Sequence, residues 1–253
     1  MAALTWRDRL SVLAGLAGVV VLSWAYLLVA AAEMGGMADA TAMIESRPWS
    51  GAYFALMFLM WSVMMVAMML PSASPMVLLY AAVVRKLAPG QHAGASVGAF
   101  VLGYVVAWTA FALGATGLQW ALERVALLSA AMVMPSAVLG GLLLVAAGIY
   151  QWTPAKDVCL KHCRAPIGFI SQHWRAGPGG ALRMGVAHGG YCIGCCWLLM
   201  GLLFVGGVMN LLWVAAIAIF VLLEKTLPWG GASGRVAGGL LVIAGAAVIA
   251  GAA

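Results

Sequence analysis

Charged residues are scarce in this sequence. Lys, Arg, Asp and Glu make up only 8% of its 253 residues, whereas hydrophobic residues make up 65%. Soluble domains contain about 25% charged and about 45–50% apolar residues. The scarcity of charge excludes a soluble globular domain and predicts an all-α, polytopic bundle of membrane helices in a lipid bilayer. The net charge of +6 is therefore no indication of a nucleic-acid partner, because basic residues in membrane proteins report orientation.

Motifs that couple transport to ATP are also missing. The sequence has no P-loop and no Asp-Lys-Thr-Gly-Thr phosphorylation motif. It shows no repeat of fixed period and no separate soluble domain, so residues 1–253 are expected to form a single membrane domain. Any transport by this protein would have to be passive or proton-linked.

Long apolar runs predict seven transmembrane helices, because a helix needs roughly 20 apolar residues to cross a bilayer. The sixth run has only 16 residues, and six helices are the alternative if it does not cross. The second helix is expected to continue past Pro71 as far as Val84. The predicted spans are 11–32, 53–70, 94–117, 128–150, 186–207, 209–224 and 234–252.

The basic residues predict the orientation of the bundle. With a cytoplasmic N-terminus, 11 of the 13 lysines and arginines face the cytoplasm, and only Arg47 and Arg124 lie outside. This asymmetry follows the positive-inside rule. The one long loop, 151–185, is then cytoplasmic. Within it Thr153-Pro154 predicts an N-cap and first turn, and hence a short helix over about 154–164.

Three of the five cysteines lie in the stretch GGYCIGCCW, residues 189–197. On a helix His188, Cys192 and Cys196 fall on one face at spacings of four, with Cys195 beside them. Thiolates and imidazole together suit zinc, and thiolate-rich sites suit Cu(I). This set predicts a metal site at the cytoplasmic face. The alternatives are a redox pair formed by Cys192 and Cys195, or small side chains that only fill a helix interface.

The loop 151–185 carries a second cysteine pair. Cys159 and Cys163 are four residues apart on the predicted short helix, and His162 is adjacent to Cys163. We expect both cysteines to be metal ligands and His162 to contact these ligands without binding the metal itself. Glu224, at the end of the sixth span, is either an interfacial ion pair with Lys225 or a second supporting group behind the metal site.

Methionines form a stripe on the second span. Met57, Met60, Met64 and Met68 are spaced by three, four and four residues, which places them along one helix face. Thioethers are soft, uncharged ligands that Cu(I) accepts, so the stripe is a candidate path for Cu(I). Packing by a flexible apolar side chain is the alternative.

Several stretches resemble a bacterial family of integral membrane proteins described only as predicted metal-binding. The resemblance covers about residues 50–230, and the two cysteine motifs are its most specific part. It implies a metal role for the cysteines and His188, and a multi-pass protein of the bacterial inner membrane. The stretches that carry it are AMMLPSASP, GIYQWTPAKDVCLKHCRAP, GYCIGCCWLLM, GVMNLLW and LLEKTLP.

The leading hypothesis is a membrane protein, not an enzyme, that binds a soft transition metal. Cu(I) is favoured over zinc. The metal either moves inward along the methionine stripe or is held for a partner that matures a metalloprotein. A membrane thiol-disulfide oxidoreductase using Cys192 and Cys195 is the rival hypothesis. A structural or assembly subunit without a site is the third.

Overall fold

The fold is all-α. The computed structural model describes residues 6–40, 49–87, 92–129 and 132–252, and no strand occurs within these ranges. The helices are α1 (Trp6–Ala40), α2 (Gly51–Leu87), α3 (His92–Arg124), α4 (Ala137–Tyr150), α5 (Pro154–Arg164), α6 (Pro166–His173), α7 (Gly177–Gly201), α8 (Leu203–Gly206), α9 (Leu211–Thr226) and α10 (Gly230–Ala250).

The prediction of seven spans is wrong for the described residues. Five helical stretches are long and apolar enough to cross a membrane, within α1, α2, α3, α7–α8 and α10. A sixth is obtained if α4 and α5, which meet at a bend of 64°, count as one broken span. The predicted fourth and sixth spans contain helices of only 14 and 16 residues. At 1.5 Å per residue these helices reach about 21 and 24 Å, which is less than a hydrocarbon core of about 30 Å.

Burial differs sharply between central and peripheral helices. In α2 and in the α7–α8 stretch, half of the residues in the most apolar 18-residue segment are buried. The corresponding share is 11% in α1 and 17% in α10. Large apolar side chains such as Leu22, Leu28 and Ile243 are exposed on the outer helices. An exposed apolar surface of this extent is compatible with a membrane protein. The cytoplasmic position of the N-terminus stays a prediction.

Helix α2 runs for 37 residues through two prolines. Proline has no N–H, so each one leaves a carbonyl of the preceding turn without its helical donor. The Pro71 carbonyl, which Pro75 cannot serve, accepts a hydrogen bond from Ser74 Oγ at 2.7 Å. A side-chain donor of this kind lets an apolar helix continue past proline. The predicted continuation of the second span past Pro71 is confirmed.

Glycines bring α3 and α7 into close contact, the most extensive helix pairing in the bundle. A Cβ atom on Gly103 would clash with the Leu182 carbonyl, and one on Gly185 would clash with the Phe100 carbonyl. Small residues permit such close approach between apolar helices. This packing places Tyr104 of α3 against the cysteines of α7.

The segment predicted as a loop, 151–185, is largely helical. Thr153 caps α5 by accepting a hydrogen bond from Lys156 N, and Pro154 occupies the first turn, so the predicted helix over 154–164 is confirmed. Helix α6 follows at once and buries Phe169 and Ile170 against α2, α3 and α7. The two helices thereby fold back onto the bundle and bring Cys163 towards α7.

Candidate metal centre

The three cysteines of α7 lie in the interior, near the middle of the helix. All three are at most 1% exposed, and His188 is buried one turn earlier. Helix α7 begins at Gly177, so Cys192 lies about 22 Å along its axis. The predicted start of this span, residue 186, would have placed the cysteines near the beginning of the helix, whereas the helix begins nine residues earlier.

Cys192 has the most polar surroundings of the cysteines. Lys225 Nζ donates to its sulfur at 2.7 Å. The Tyr104 hydroxyl lies 3.0 Å from the same sulfur and also donates to the Met69 carbonyl. Lys225 further contacts Ser72 Oγ at 3.4 Å. Four helices, α2, α3, α7 and α9, thus contribute polar groups around one thiol.

Helix α5 brings a fourth cysteine to this point. The half-buried Cys163 side chain packs against the core that contains Cys192 and Cys195 and interacts electrostatically with both of their thiols. Cys159, one turn earlier, lies instead against the backbone of Gly194, where an added Cβ would be 2.6 Å from its sulfur. The Tyr150 hydroxyl donates to the Gly194 carbonyl and holds the same stretch of α7. Helix α5 therefore brings both of its cysteines to α7, with Cys163 near Cys192 and Cys195 and with Cys159 near Gly194 and Cys195.

Substitution of Gly194 by alanine is expected to expose the Cys159 thiol. Replacement of glycine by alanine in a helix normally stabilises the helix by about 1 kcal/mol. At Gly194 the new methyl group would overlap the Cys159 sulfur. The Cys159 Cβ, 3.5 Å from the methyl position, leaves the side chain little space to move aside. We expect the rate of Cys159 modification by a maleimide to rise severalfold. Gly190→Ala is the control, because no described atom lies within 4 Å of a Cβ there. Equal rates in the two variants would contradict the close α5–α7 contact.

A buried ion pair anchors α5 to α9. Lys156 Nζ donates to Glu224 Oε1 at 2.6 Å, and both side chains are at most 1% exposed. Lys156 also donates to the Gln151 side-chain oxygen. At the other end of α5, Arg164 donates to the carbonyls of Leu227 and Pro228 at 2.6 and 2.8 Å. Glu224 is thus an interior residue whose partner is Lys156 of α5 and not its neighbour Lys225.

The methionine stripe is buried along its whole length. Met57, Met60, Met64 and Met68 belong to the same apolar core as the α7 cysteines. The sulfur of Met57, at one end, accepts from Gln119 at 3.8 Å. The other end adjoins Met69, whose carbonyl shares the Tyr104 hydroxyl with Cys192. The backbone next to the end of the stripe is therefore linked to Cys192 through the Tyr104 hydroxyl.

The two candidate histidines have different surroundings. His188 is enclosed by the rings of Phe100, Tyr104 and Phe169. Its Nδ1 atom has no hydrogen-bond partner among the described residues. An unsatisfied buried nitrogen costs free energy, and a metal would satisfy it. His162 lies outside the thiol cluster and stacks on Tyr191, with ring centroids 4.1 Å apart.

The thiols are close to one another without forming a finished coordination site. Within the described part of the chain, no group of three or more His, Cys, Asp or Glu side chains has the geometry to hold a metal. The reason lies in the hydrogen bonds, since Cys195 and Cys196 both donate to the Cys192 carbonyl at 3.0 Å. This arrangement directs their sulfurs to the backbone. All five cysteines are free thiols.

Sequence reasoning missed Tyr104 and Ser72, and it treated Lys225 only as a helix-end ion pair. A signal was present for Lys225, because an ionisable residue inside an apolar run is costly and usually functional. Tyr104 had no such signal. Its role follows only from the packing of α3 on α7.

Comparison with known proteins identifies a family. The chain matches the sequence model of PpoB2, described as copper chaperone, over residues 58–248. No curated protein and no solved structure matched the chain. The matched region contains α3 to α9 entirely and all five cysteines. The chain therefore belongs to the PpoB2 copper chaperone family.

Proposed function

We propose that the protein is a membrane-embedded copper chaperone that binds Cu(I) between α5 and α7. Cys163, Cys192 and Cys195 are the central ligands, with Cys196 and His188 available beside them. The observation that carries the proposal is the packing of Cys163 of α5 against the core that contains Cys192 and Cys195 of α7. Thiolates are the ligands that Cu(I) prefers.

Lys225 supports the proposal electrostatically. Cysteine binds metal as the thiolate, and a neighbouring ammonium group stabilises that anion. With two of the three central cysteines bound as thiolates and the third as a neutral thiol, the cluster and one Cu(I) ion carry a net charge of −1. The buried Lys225 ammonium, 2.7 Å from the Cys192 sulfur, makes the loaded site neutral. Neutrality favours the loaded site, because an uncompensated buried charge is expensive.

Loading requires only local movement. The thiols of Cys195 and Cys196 must leave the Cys192 carbonyl, and a change of χ1 between staggered positions suffices for this. Strong thiolate–copper bonds then replace two weak S–H hydrogen bonds.

The methionine stripe extends the proposal to copper movement. It reaches from Met57 to Met68, roughly 17 Å along α2, and Met68 belongs to the same apolar core as the α7 cysteines. In one mode the protein lies in the bacterial inner membrane, and Cu(I) travels along these thioethers towards the α7 thiols. In the other mode the thiols only hold Cu(I) for a partner that matures a copper enzyme, and the methionines pack.

The proposal is tested by copper content. The protein is purified anaerobically in detergent, loaded with Cu(I), and washed with the chelator bathocuproine disulfonate. We expect about one retained copper per chain in the wild type and a loss of at least about 90% in Cys192→Ser, because a hydroxyl is a poor ligand for Cu(I).

Cys159→Ser is the matched control, since its thiol contacts Gly194 and is not one of the proposed central ligands. It should retain copper like the wild type. Retention of zinc but not copper would contradict the choice of metal. Absence of both metals together with reversible disulfides would favour the thiol oxidoreductase, and absence of both metals and disulfides would favour a structural subunit.

A further inference from the structure

Three of the four histidines of this chain surround one pair of aromatic rings. His162, His173 and His188 all contact Phe169 or Tyr191. His188 belongs to the buried centre, but His162 and His173 are half-buried at the surface of α5 and α6. The mechanism proposed above uses neither of these two. His173 attracted no attention in the sequence, because it is eleven residues from His162 and on a different helix.

Each of the two surface histidines is oriented by a hydrogen bond to a carbonyl of its own helix. His162 Nδ1 lies 2.8 Å from the Val158 carbonyl, and His173 Nδ1 lies 3.1 Å from the Phe169 carbonyl. A carbonyl can only accept, so each Nδ1 carries the proton and each Nε2 keeps a free lone pair. Metal-binding histidines typically donate their second ring N–H in this way.

Their separation fits one shared ion. The ring centroids of His162 and His173 are 6.3 Å apart. With metal–nitrogen bonds of about 2.0 Å, an ion held between two imidazoles places the ring centroids about 6 Å apart. The observed centroid distance therefore matches that of two imidazoles that share one ion.

The pair is connected to the buried centre by a single aromatic ring. Phe169 stacks on His173 with centroids 4.5 Å apart and contacts His188 with centroids 5.2 Å apart. Tyr191, which stacks on His162, immediately precedes Cys192 in α7. One aromatic ring therefore contacts both the buried His188 and the surface His173.

A cavity opens next to His173. It has a volume of about 220 Å³ and is lined by His173, Arg175, Arg183, Met184 and Ala187. The two arginines oppose the residence of a bare cation and attract anions. Cu(I) bound to two thiolates is an anion, so these charges suit a thiol-based copper carrier and a site that copper occupies briefly.

We propose that His162 and His173 form a transfer site through which Cu(I) passes between thiolate carriers and the buried thiols. The inference rests on the proposed function, since it assigns the surface step of the same copper exchange. The ligand is Cu(I), held by two imidazole Nε2 atoms in place of its carrier's sulfurs. No change of oxidation state is involved.

The first test measures the rate of copper loss from the loaded wild-type chain to bathocuproine disulfonate. His173→Phe and His162→Phe keep the aromatic stacking and remove the ligand nitrogen. Each should slow the loss at least about tenfold, the size of effect seen when a metal site loses a supporting contact. The double variant should be no slower than the single ones, because both residues serve one site.

Gln172→Ala, exposed and next to His173, is the control. An unchanged rate in both histidine variants, with copper retention intact, would overturn the transfer site and leave the proposed function standing.

The second test does not need the thiol centre. In Cys192→Ser, Cu(I) kept reduced by ascorbate should protect His162 and His173 together from carbethoxylation by diethyl pyrocarbonate. The protection is read by mass spectrometry. Loss of protection at one histidine when the other is replaced by Phe would support a shared ion. Full reactivity of both histidines in the presence of Cu(I) would overturn the transfer site, whatever the copper content of the wild type.

Discussion

Lys156→Met is expected to be the most destabilising single substitution among those considered. It removes the ammonium group that lies 2.6 Å from Glu224 Oε1 in a fully buried pair. Removal of one partner leaves an uncompensated charge in the interior and costs about 3–5 kcal/mol. For a chain of this size that corresponds to a fall in denaturation temperature on the order of 10 °C. Circular dichroism of the protein in lipid nanodiscs would measure it.

A second variant measures the contribution of the Lys156–Glu224 ion pair itself. Lys156→Met with Glu224→Gln removes both charges, so it should recover at least half of the lost stability. Lys161→Met is the matched control, because it makes the same change at an exposed position of the same helix. A double variant as unstable as the single one would show that Lys156 acts by packing and not through its charge.

Lys225→Met is expected to weaken Cu(I) binding about a hundredfold. The substitution removes the ammonium group 2.7 Å from the Cys192 sulfur, so the copper–dithiolate complex would carry an uncompensated negative charge in the interior. A penalty of about 3 kcal/mol for such a charge corresponds to roughly two powers of ten in Kd. Competition titration against bathocuproine disulfonate measures that constant directly.

Two companion variants separate charge from contact at this position. Lys225→Arg keeps the positive charge and should keep most of the affinity. Ser72→Ala removes the other hydrogen-bond partner of Lys225 and leaves the charge in place, so the Kd should change by less than about fivefold. A tighter Kd in Lys225→Met would mean that the ammonium competes with copper for Cys192 and does not neutralise the loaded site.

Local features of the sequence predicted the helices well. Thr153-Pro154 located the start of α5, and the apolar run of α2 predicted a helix that continues past Pro71. The number of spans could not be predicted in the same way. Hydropathy measures how apolar a run is, whereas crossing depends on the length of the straight helix. The run 128–150 contains only 14 residues of straight helix, which end at a bend of 64° before α5.

The sequence proposed ligands for the candidate site but not their surroundings, and the ligand set stays a prediction. The spacing of His188, Cys192 and Cys196 places them on one face of any helix, and burial in α7 agrees with this. Cys159 and Cys163 look equivalent in sequence, but they meet α7 differently. The Cys159 sulfur lies against the backbone of Gly194, whereas Cys163, one turn later, interacts with the thiols of both Cys192 and Cys195.

The sequence by itself determined the class of this protein, its helical composition and the residue types available to bind a soft metal. These properties depend on composition and on spacing along a helix, both of which are local. The tertiary structure alone decided that Lys225 and Tyr104 adjoin Cys192, that Glu224 pairs with Lys156, and that His162 and His173 face one another. Those contacts join residues up to 88 positions apart, and they exist because glycines let α3 and α7 approach and because buried charges require partners.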